Sequence, residues 1–191
     1  MKIRLAFLFL LIFIASIFAV FYFKNYFFIQ TPENYTEKQK LSAQIVIDVI
    51  RDKSIQLYDY EGKLFERSLI NRLTEEKNIT RVFHFWASWC DPCAIELPEL
   101  ISYAKKIEVE KTRDRGVQIY LVSVDSEIDG LNKFTQIFPE ILSNHFIQIW
   151  DRNNTLSRRF GVDKLPMTIF ILPNGKLEIH EGVVSWKNLN L

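Results

Sequence analysis

Cysteine is scarce in this chain: only Cys90 and Cys93 occur, three positions apart. That scarcity excludes a tetra-cysteine zinc site and a framework of several disulfides built from this chain alone. An excess of one charge is also lacking, with 24 lysines and arginines against 23 aspartates and glutamates. No basic surplus exists to hold a phosphate backbone, so nucleic acid is dropped as a partner. Histidine is sparse too, and His84, His145 and His180 are scattered along the chain. With no second cysteine pair and no nucleotide or flavin motif, neither a metal nor a bound cofactor is expected. Internal repeats and low-complexity tracts are absent as well.

What is present is unevenly placed. The 191 residues suffice for one domain plus an appendage, and 16 phenylalanines supply ample core material. Residues 5–23 contain nothing more polar than Ser16. As a helix this run would span roughly 28 Å, the thickness of a bilayer's hydrocarbon core. Lys2 and Arg4 precede it and Lys24 closes it. A cleaved signal peptide is the rival reading, but its apolar region would be only about 7–15 residues and end in small ones. Here the run continues through Phe21, Tyr22 and Phe23, and Ile17 stands where a small residue would precede cleavage at Ala19. An uncleaved anchor over 1–24 is therefore expected, followed by a polar stalk over 25–44 and a folded domain over 45–191. Lys2 and Arg4 favour a cytoplasmic N-terminus, although Lys24, Lys38 and Lys40 soften the bias.

Within the domain, residues 55–59 and 63–65 flank a turn at Tyr60-Glu61-Gly62 and read as a β-hairpin. A short helix is predicted over 69–77 and a buried central strand over 81–86. Ile95, Leu97, Leu100, Ile101, Ala104 and Ile107 recur at helical spacing, which predicts a helix over 93–111. Further along, the pattern predicts a strand over 117–124, a helix over 128–138, a strand over 147–150 and a helical turn over 155–160 stopped by Gly161. A hairpin of 167–172 and 176–179 turns at Pro173-Asn174-Gly175. Together these imply an α/β fold with a mixed central sheet and flanking helices.

The chemistry concentrates at Trp89-Cys90-Asp91-Pro92-Cys93, directly after the central strand and opening a helix. A thiol attacks a disulfide only as its thiolate, and a helix N-terminus offers unpaired N–H groups and a positive dipole end. Cys90 would sit exposed at the cap as nucleophile. Cys93, one turn inside, would be shielded yet near enough to resolve a mixed disulfide. Pro92 suits the first turn, where a missing N–H costs nothing. A half zinc site and a purely structural disulfide are the competing readings of the same pair.

The run Phe85-Trp86-Ala87-Ser88-Trp89-Cys90-Asp91-Pro92-Cys93, followed by Glu96 and Pro98, resembles the membrane-anchored, extracytoplasmic thioredoxin-like proteins of the TlpA/ResA type. Phe160-Gly161-Val162, then Pro166 with Thr168, the Asn174-Gly175-Lys176 turn, and Gly182 with Trp186 extend the match over roughly residues 55–186. The resemblance implies a thioredoxin fold with the hairpin insertion and exchange of disulfides outside the cytoplasm. Reduction is the usual direction, often serving cytochrome c maturation. Its partners would be client proteins bearing disulfides and a membrane electron donor, with residues 5–23 in the membrane.

Residue by residue, Pro166 matches the family's cis-proline, whose loop, here Leu165, Pro166 and Met167, offers its backbone to the client chain. From the residues alone Leu165-Pro166 is only a turn. Glu96 matches a glutamate that tunes or shuttles protons near the cysteines; as a plain helix carboxylate it would be solvated. Trp89 would pack beside the disulfide and, with Asp91 and Pro92, meet clients; otherwise it belongs to the core. Pro98 matches a helix-kinking proline. His84 stands where relatives carry Asn or Asp, and reads either as a neutral core histidine or as a proton relay to Cys93. Met167 replaces a more usual Thr, which leaves client preference open. Asp91 should raise the Cys90 pKa by like-charge repulsion. Only residues 187–191 follow Trp186, so the usual C-terminal helix is not expected.

The leading expectation is thus a disulfide reductase. A disulfide-forming oxidant of the same fold is one alternative, since direction follows reduction potential. A copper module using both cysteines and a histidine is the other, because soft thiolates suit Cu(I). A peroxidase is disfavoured, as no peroxidatic cysteine with its threonine is recognisable.

Overall fold

The computed structural model describes residues 46, 48, 49, 51, 52, 54–64, 78–109 and 116–189, all within one compact unit, Leu41–Leu191. The expected anchor over 1–24, the stalk over 25–44 and the helix over 69–77 lie outside the described residues. No described helix is long and apolar enough to cross a membrane.

Strand β1, Ile79–Trp86, is buried along nearly its whole length because it lies between two apolar layers. Strand alternation sorts its side chains. Val82 and Trp86 enter one core cluster, and Phe83 and Phe85 enter the other. His84 falls on the Val82 side. Helix α1, Asp91–Val109, follows and lays Cys93, Leu97, Leu100, Ile101 and Ala104 onto that same side. Strand β2, Gly116–Ser123, then runs parallel to β1, as a helical crossover requires. Helix α2, Ile128–Ile137, adds Leu131 and Phe134 to the first cluster, and β3, Phe146–Trp150, pairs parallel with β2.

On the opposite face, α3, Thr155–Arg159, and Phe160 after it place Leu156 and Phe160 against Phe83 and Phe85. The fully buried Asp151 carboxylate accepts the first N–H groups of α3, from Thr155, Leu156 and Ser157. Strand β4, Met167–Ile171, joins antiparallel to the other side of β1, and β5, Leu177–Glu181, pairs antiparallel with β4. The β4–β5 turn needs Gly175 at φ 79°. The sheet order β3-β2-β1-β4-β5 is mixed, with helices on both faces: the thioredoxin-like architecture.

Three details differ from the expectations or add to them. The helix starts at Asp91, two residues early, because the turn at 87–90 already directs the chain into helical hydrogen bonds: the Ala94 N–H reaches the Cys90 carbonyl at 3.1 Å. The expected hairpin turns at 60–62 as predicted, with the Asp59 N–H donating to the Lys63 carbonyl at 2.8 Å, and among the described residues it is reduced to one antiparallel bridge from Tyr58 to Leu64. Tyr58 instead exchanges both backbone hydrogen bonds with Trp150 at the β3 edge. A 3-10 turn, Pro139–Leu142, follows α2 unannounced, with Pro139 opening it and Ile141 filling the core.

Candidate active site

At the C-terminal end of β1 the chain turns sharply through Ala87, Ser88 and Trp89 before entering α1. The Cys90 N–H donates to the Ala87 carbonyl at 3.1 Å, closing the turn. A buried carboxylate fixes it further: Asp125, just past β2, accepts from the Ser88 N–H at 3.0 Å and the Ser88 hydroxyl at 2.6 Å. Asp125 also accepts from the Ser123 hydroxyl at 2.8 Å. The turn is thereby tied to the neighbouring strand, a role the sequence pattern did not disclose for Ser88 or Asp125.

Cys90 and Cys93 form a disulfide across the first turn of α1. The Cys93 N–H points at the Cys90 sulfur, 3.3 Å away, one of the orphan donors of a helix start. The expected exposure of Cys90 is corrected: it is 5% exposed and Cys93 2%, because the bond draws both sulfurs under the first turn. Around them Trp89 is 68% exposed, and Asp91, Pro92 and Ile95 are exposed as well. Trp89 therefore belongs to the surface rather than to the core.

Glu96 lies one helical turn past Cys93 and is buried, not solvated. Its Oε1 accepts from the Val184 N–H at 3.0 Å and from the Trp186 indole N–H, while Oε2 has no partner among the described residues. Burial pushes its carboxyl above the usual range, against the two hydrogen bonds, which favour the charged form. His84 is also fully enclosed, and its Nδ1 meets the Thr168 hydroxyl at 3.0 Å. Burial pulls the ring's pKa from 6.5 to about 3, so it is neutral at ordinary pH. This burial and the Thr168 partner are what the core reading of His84 expects. His145 precedes β3 and His180 sits on β5 against Phe170; among the described residues no three metal-ligating side chains gather.

The Leu165–Pro166 peptide is cis, and the Gly182 N–H donates to the Pro166 carbonyl at 2.8 Å. Leu165 packs against the cluster containing both cysteines. The Met167 side chain is buried in the opposite cluster, so it contributes backbone, not a client-facing side chain. Thr168, which the sequence marked only as part of the family match, is the residue that satisfies His84.

A mixed sheet carrying a buried disulfide at a helix N-terminus, with a cis-proline loop beside the same core, defines a thioredoxin-like redox domain. Residues 66–180 match the AhpC/TSA family, and the chain belongs to it. Among curated proteins it is similar to the thiol-disulfide oxidoreductase ResA of Oceanobacillus iheyensis, 28% identical over 145 residues, covering 75% of this chain and 62% of the relative. ResA of Geobacillus thermodenitrificans is 31% identical over 125 residues, covering 64% and 62% respectively. The chain thus spans less than two thirds of the length of these relatives, and its likeness to them supports the resemblance to the TlpA/ResA type. Among solved structures, dsbF from MTB shares the fold at a TM-score of 0.56 and 21% identity, covering 73% of this chain and 90% of that one. A thiol:disulfide interchange protein DsbE from Chlorobium tepidum matches at 0.52 and 25%, covering 68% and 81%.

Proposed function

We propose that this protein is a thiol–disulfide oxidoreductase that reduces the disulfides of client proteins. The observation that supports it most is the Cys90–Cys93 disulfide across the first turn of α1, with an exposed Trp89 and Pro92 beside it. In the reaction, the Cys90 thiolate attacks a client disulfide, forming a Cys90–client bond and releasing the first client sulfur as a thiol. The Cys93 thiolate then attacks the Cys90 sulfur, forming the Cys90–Cys93 bond and releasing the second client thiol. The client gains two electrons and two protons, and the dithiol loses them. Glu96, buried one turn beyond Cys93, is the group suited to take the Cys93 proton. Because the dithiol must be regenerated, a membrane-borne thiol donor is the fitting electron source for a chain anchored by residues 5–23. The apolar run at 5–23 and the likeness to ResA further support an extracytoplasmic site of action, with cytochrome c maturation as one destination of the clients.

The test is covalent trapping. Cys93→Ser removes the resolving thiol, so mixed disulfides accumulate on Cys90 as thiol-sensitive bands on a non-reducing gel, whereas Cys90→Ser gives none and abolishes exchange. Absence of adducts from Cys93→Ser under all growth conditions would refute the reading. A reduction potential measured for the pair separates a reductase from a disulfide-forming oxidant.

A further inference from the structure

Glu96 receives hydrogen bonds from residues about ninety positions away, in the segment over 183–188. That segment is fastened along α1 at two successive glutamates. Beyond the bonds to Glu96, the Trp186 backbone N–H donates to Glu99 Oε2 at 3.1 Å, and Lys187 pairs with Glu99 Oε1 at 3.0 Å. Glu96 and Glu99 are one turn apart on the same helix face. Trp186 itself is 0% exposed and cannot swing away. It is enclosed by Tyr103, Phe170 and the edge-to-face ring of His84, whose centroid lies 5.9 Å off.

We propose that Trp186 is a positioning residue for disulfide exchange: its indole N–H, with the Val184 amide, binds one Glu96 oxygen and leaves the other free on the buried side of α1 to handle the Cys93 proton. The inference rests on the thiol–disulfide reading above and adds to it the element that sets the proton's affinity. A buried carboxylate without donors would remain protonated and could not accept a proton. Two donors to a single oxygen stabilise the ionised form, while Oε2 is buried and has no partner among the described residues. Among the described residues, the groups that bear on this carboxyl are few. Glu99 repels its charge from the same helix, Lys187 offsets Glu99 from the segment, and neutral His84 and Tyr103 face the indole from β1 and α1. Cys93 itself lies one turn before it.

The experiment uses the reduced full chain and the aromatic disulfide 5,5′-dithiobis(2-nitrobenzoate) followed by stopped flow. Attack by Cys90 releases one coloured thiolate, and resolution by Cys93 releases a second, so the two steps are read separately. Trp186→Phe keeps an aromatic ring but deletes the donor. The first phase is expected to change less than twofold. The second phase is expected to shift its pH midpoint upward by about one unit, a tenfold slowing on the acidic limb, the scale of one hydrogen bond to a charged acceptor. Glu96→Gln is expected to flatten that limb, and adding Trp186→Phe to it then changes nothing further. A second phase with the parent's pH midpoint, or effects that simply add in the double variant, would overturn the proposal. Lys187→Ala, at an exposed position, covers a Trp186→Phe chain that fails to fold. It leaves Glu99 uncompensated, so it should move the same midpoint upward by a smaller amount, and an unmoved midpoint would equally overturn the proposal. Loss of the first phase in the parent chain would instead refute the oxidoreductase reading on which this rests.

Discussion

His84 and Glu96 are both buried near the disulfide, yet their proton affinities are displaced in opposite directions. The histidine's pKa is depressed by burial, so the folded chain binds fewer protons there than the unfolded chain. Its contribution to stability is intact above pH 6.5 and is lost as pH falls toward about 3, with a full loss on the order of 5 kcal/mol. The carboxyl of Glu96 is raised by the same burial, so its contribution is intact below the model-peptide value of 4.5 and declines as pH rises through the folded value. Between those limits the two slopes oppose each other, and the parent chain should show a deceptively flat stability profile. His84→Asn is expected to lose the acid-side decline, and Glu96→Gln the decline on the other side. Urea midpoints at several values between about pH 4 and 8 check both, and a single slope common to all three chains would contradict the assignment. The burial of His84 was one of its two readings from sequence, whereas the burial of Glu96 and the partners of both could not be read there. The partners of Glu96 come from residues 184 and 186, and that of His84 from residue 168, distances over which periodicity carries no information.

At the scale of elements, what was legible were the apolar runs: β1, β2, the start of β4 and the helical spacing of α1 all follow from a period that matches their burial. The turn that presents the cysteines was legible as a motif but not as a mechanism. It is held by Asp125 against Ser88, and α2 approaches it so closely that a Cβ on Gly130 would stand 2.7 Å from the Ser88 oxygen. That oxygen is engaged with Asp125 and is not free to retreat. Gly130→Ala should therefore destabilise by about 1–2 kcal/mol, although alanine ordinarily favours a helix by ~0.5–1 kcal/mol. In a Ser88→Ala background the obstruction is gone, since the next contacts are 3.5 Å and 3.8 Å, and the same change should become stabilising. Thermal unfolding of the four chains measures the coupling; additive effects would show that the approach at Ser88 is not the constraint. The hairpin over 55–65 was legible in its turn and its Tyr58–Leu64 bridge, but not in its outer partner. Tyr58 finds its hydrogen bonds at the β3 edge through Trp150, a contact set by tertiary packing rather than by the turn beside it.

The molecule as a whole is organised by its sheet. Both helices that follow β1 and β2 cover the disulfide's side, and the cis-proline loop leads into β4 on the other flank of β1, so the cysteines stand where the chain changes direction across the sheet. The mixed sheet with helices on its faces was recoverable from the order of predicted elements, whereas the strand order was not. Where the domain works in the cell is a separate matter, and the proposal for it rests on the apolar run in residues 1–24. If they form an uncleaved anchor, the full chain should stay in the membrane fraction through a carbonate wash, and a reporter fused after Leu191 should be active only outside the cytoplasm. A mature N-terminus near Val20 by mass spectrometry would identify a cleaved leader instead. The four tryptophans have a consequence of their own. Trp86, Trp150 and Trp186 are 5% exposed or less, while Trp89, next to Cys90, is 68% exposed. Only one indole can thus meet an aqueous quencher such as iodide, and it stands at the reactive pair. The protein carries an optical label at the docking point proposed for clients, and the quencher-sensitive part of its emission would report, without any modification of the chain, whether a client is seated there.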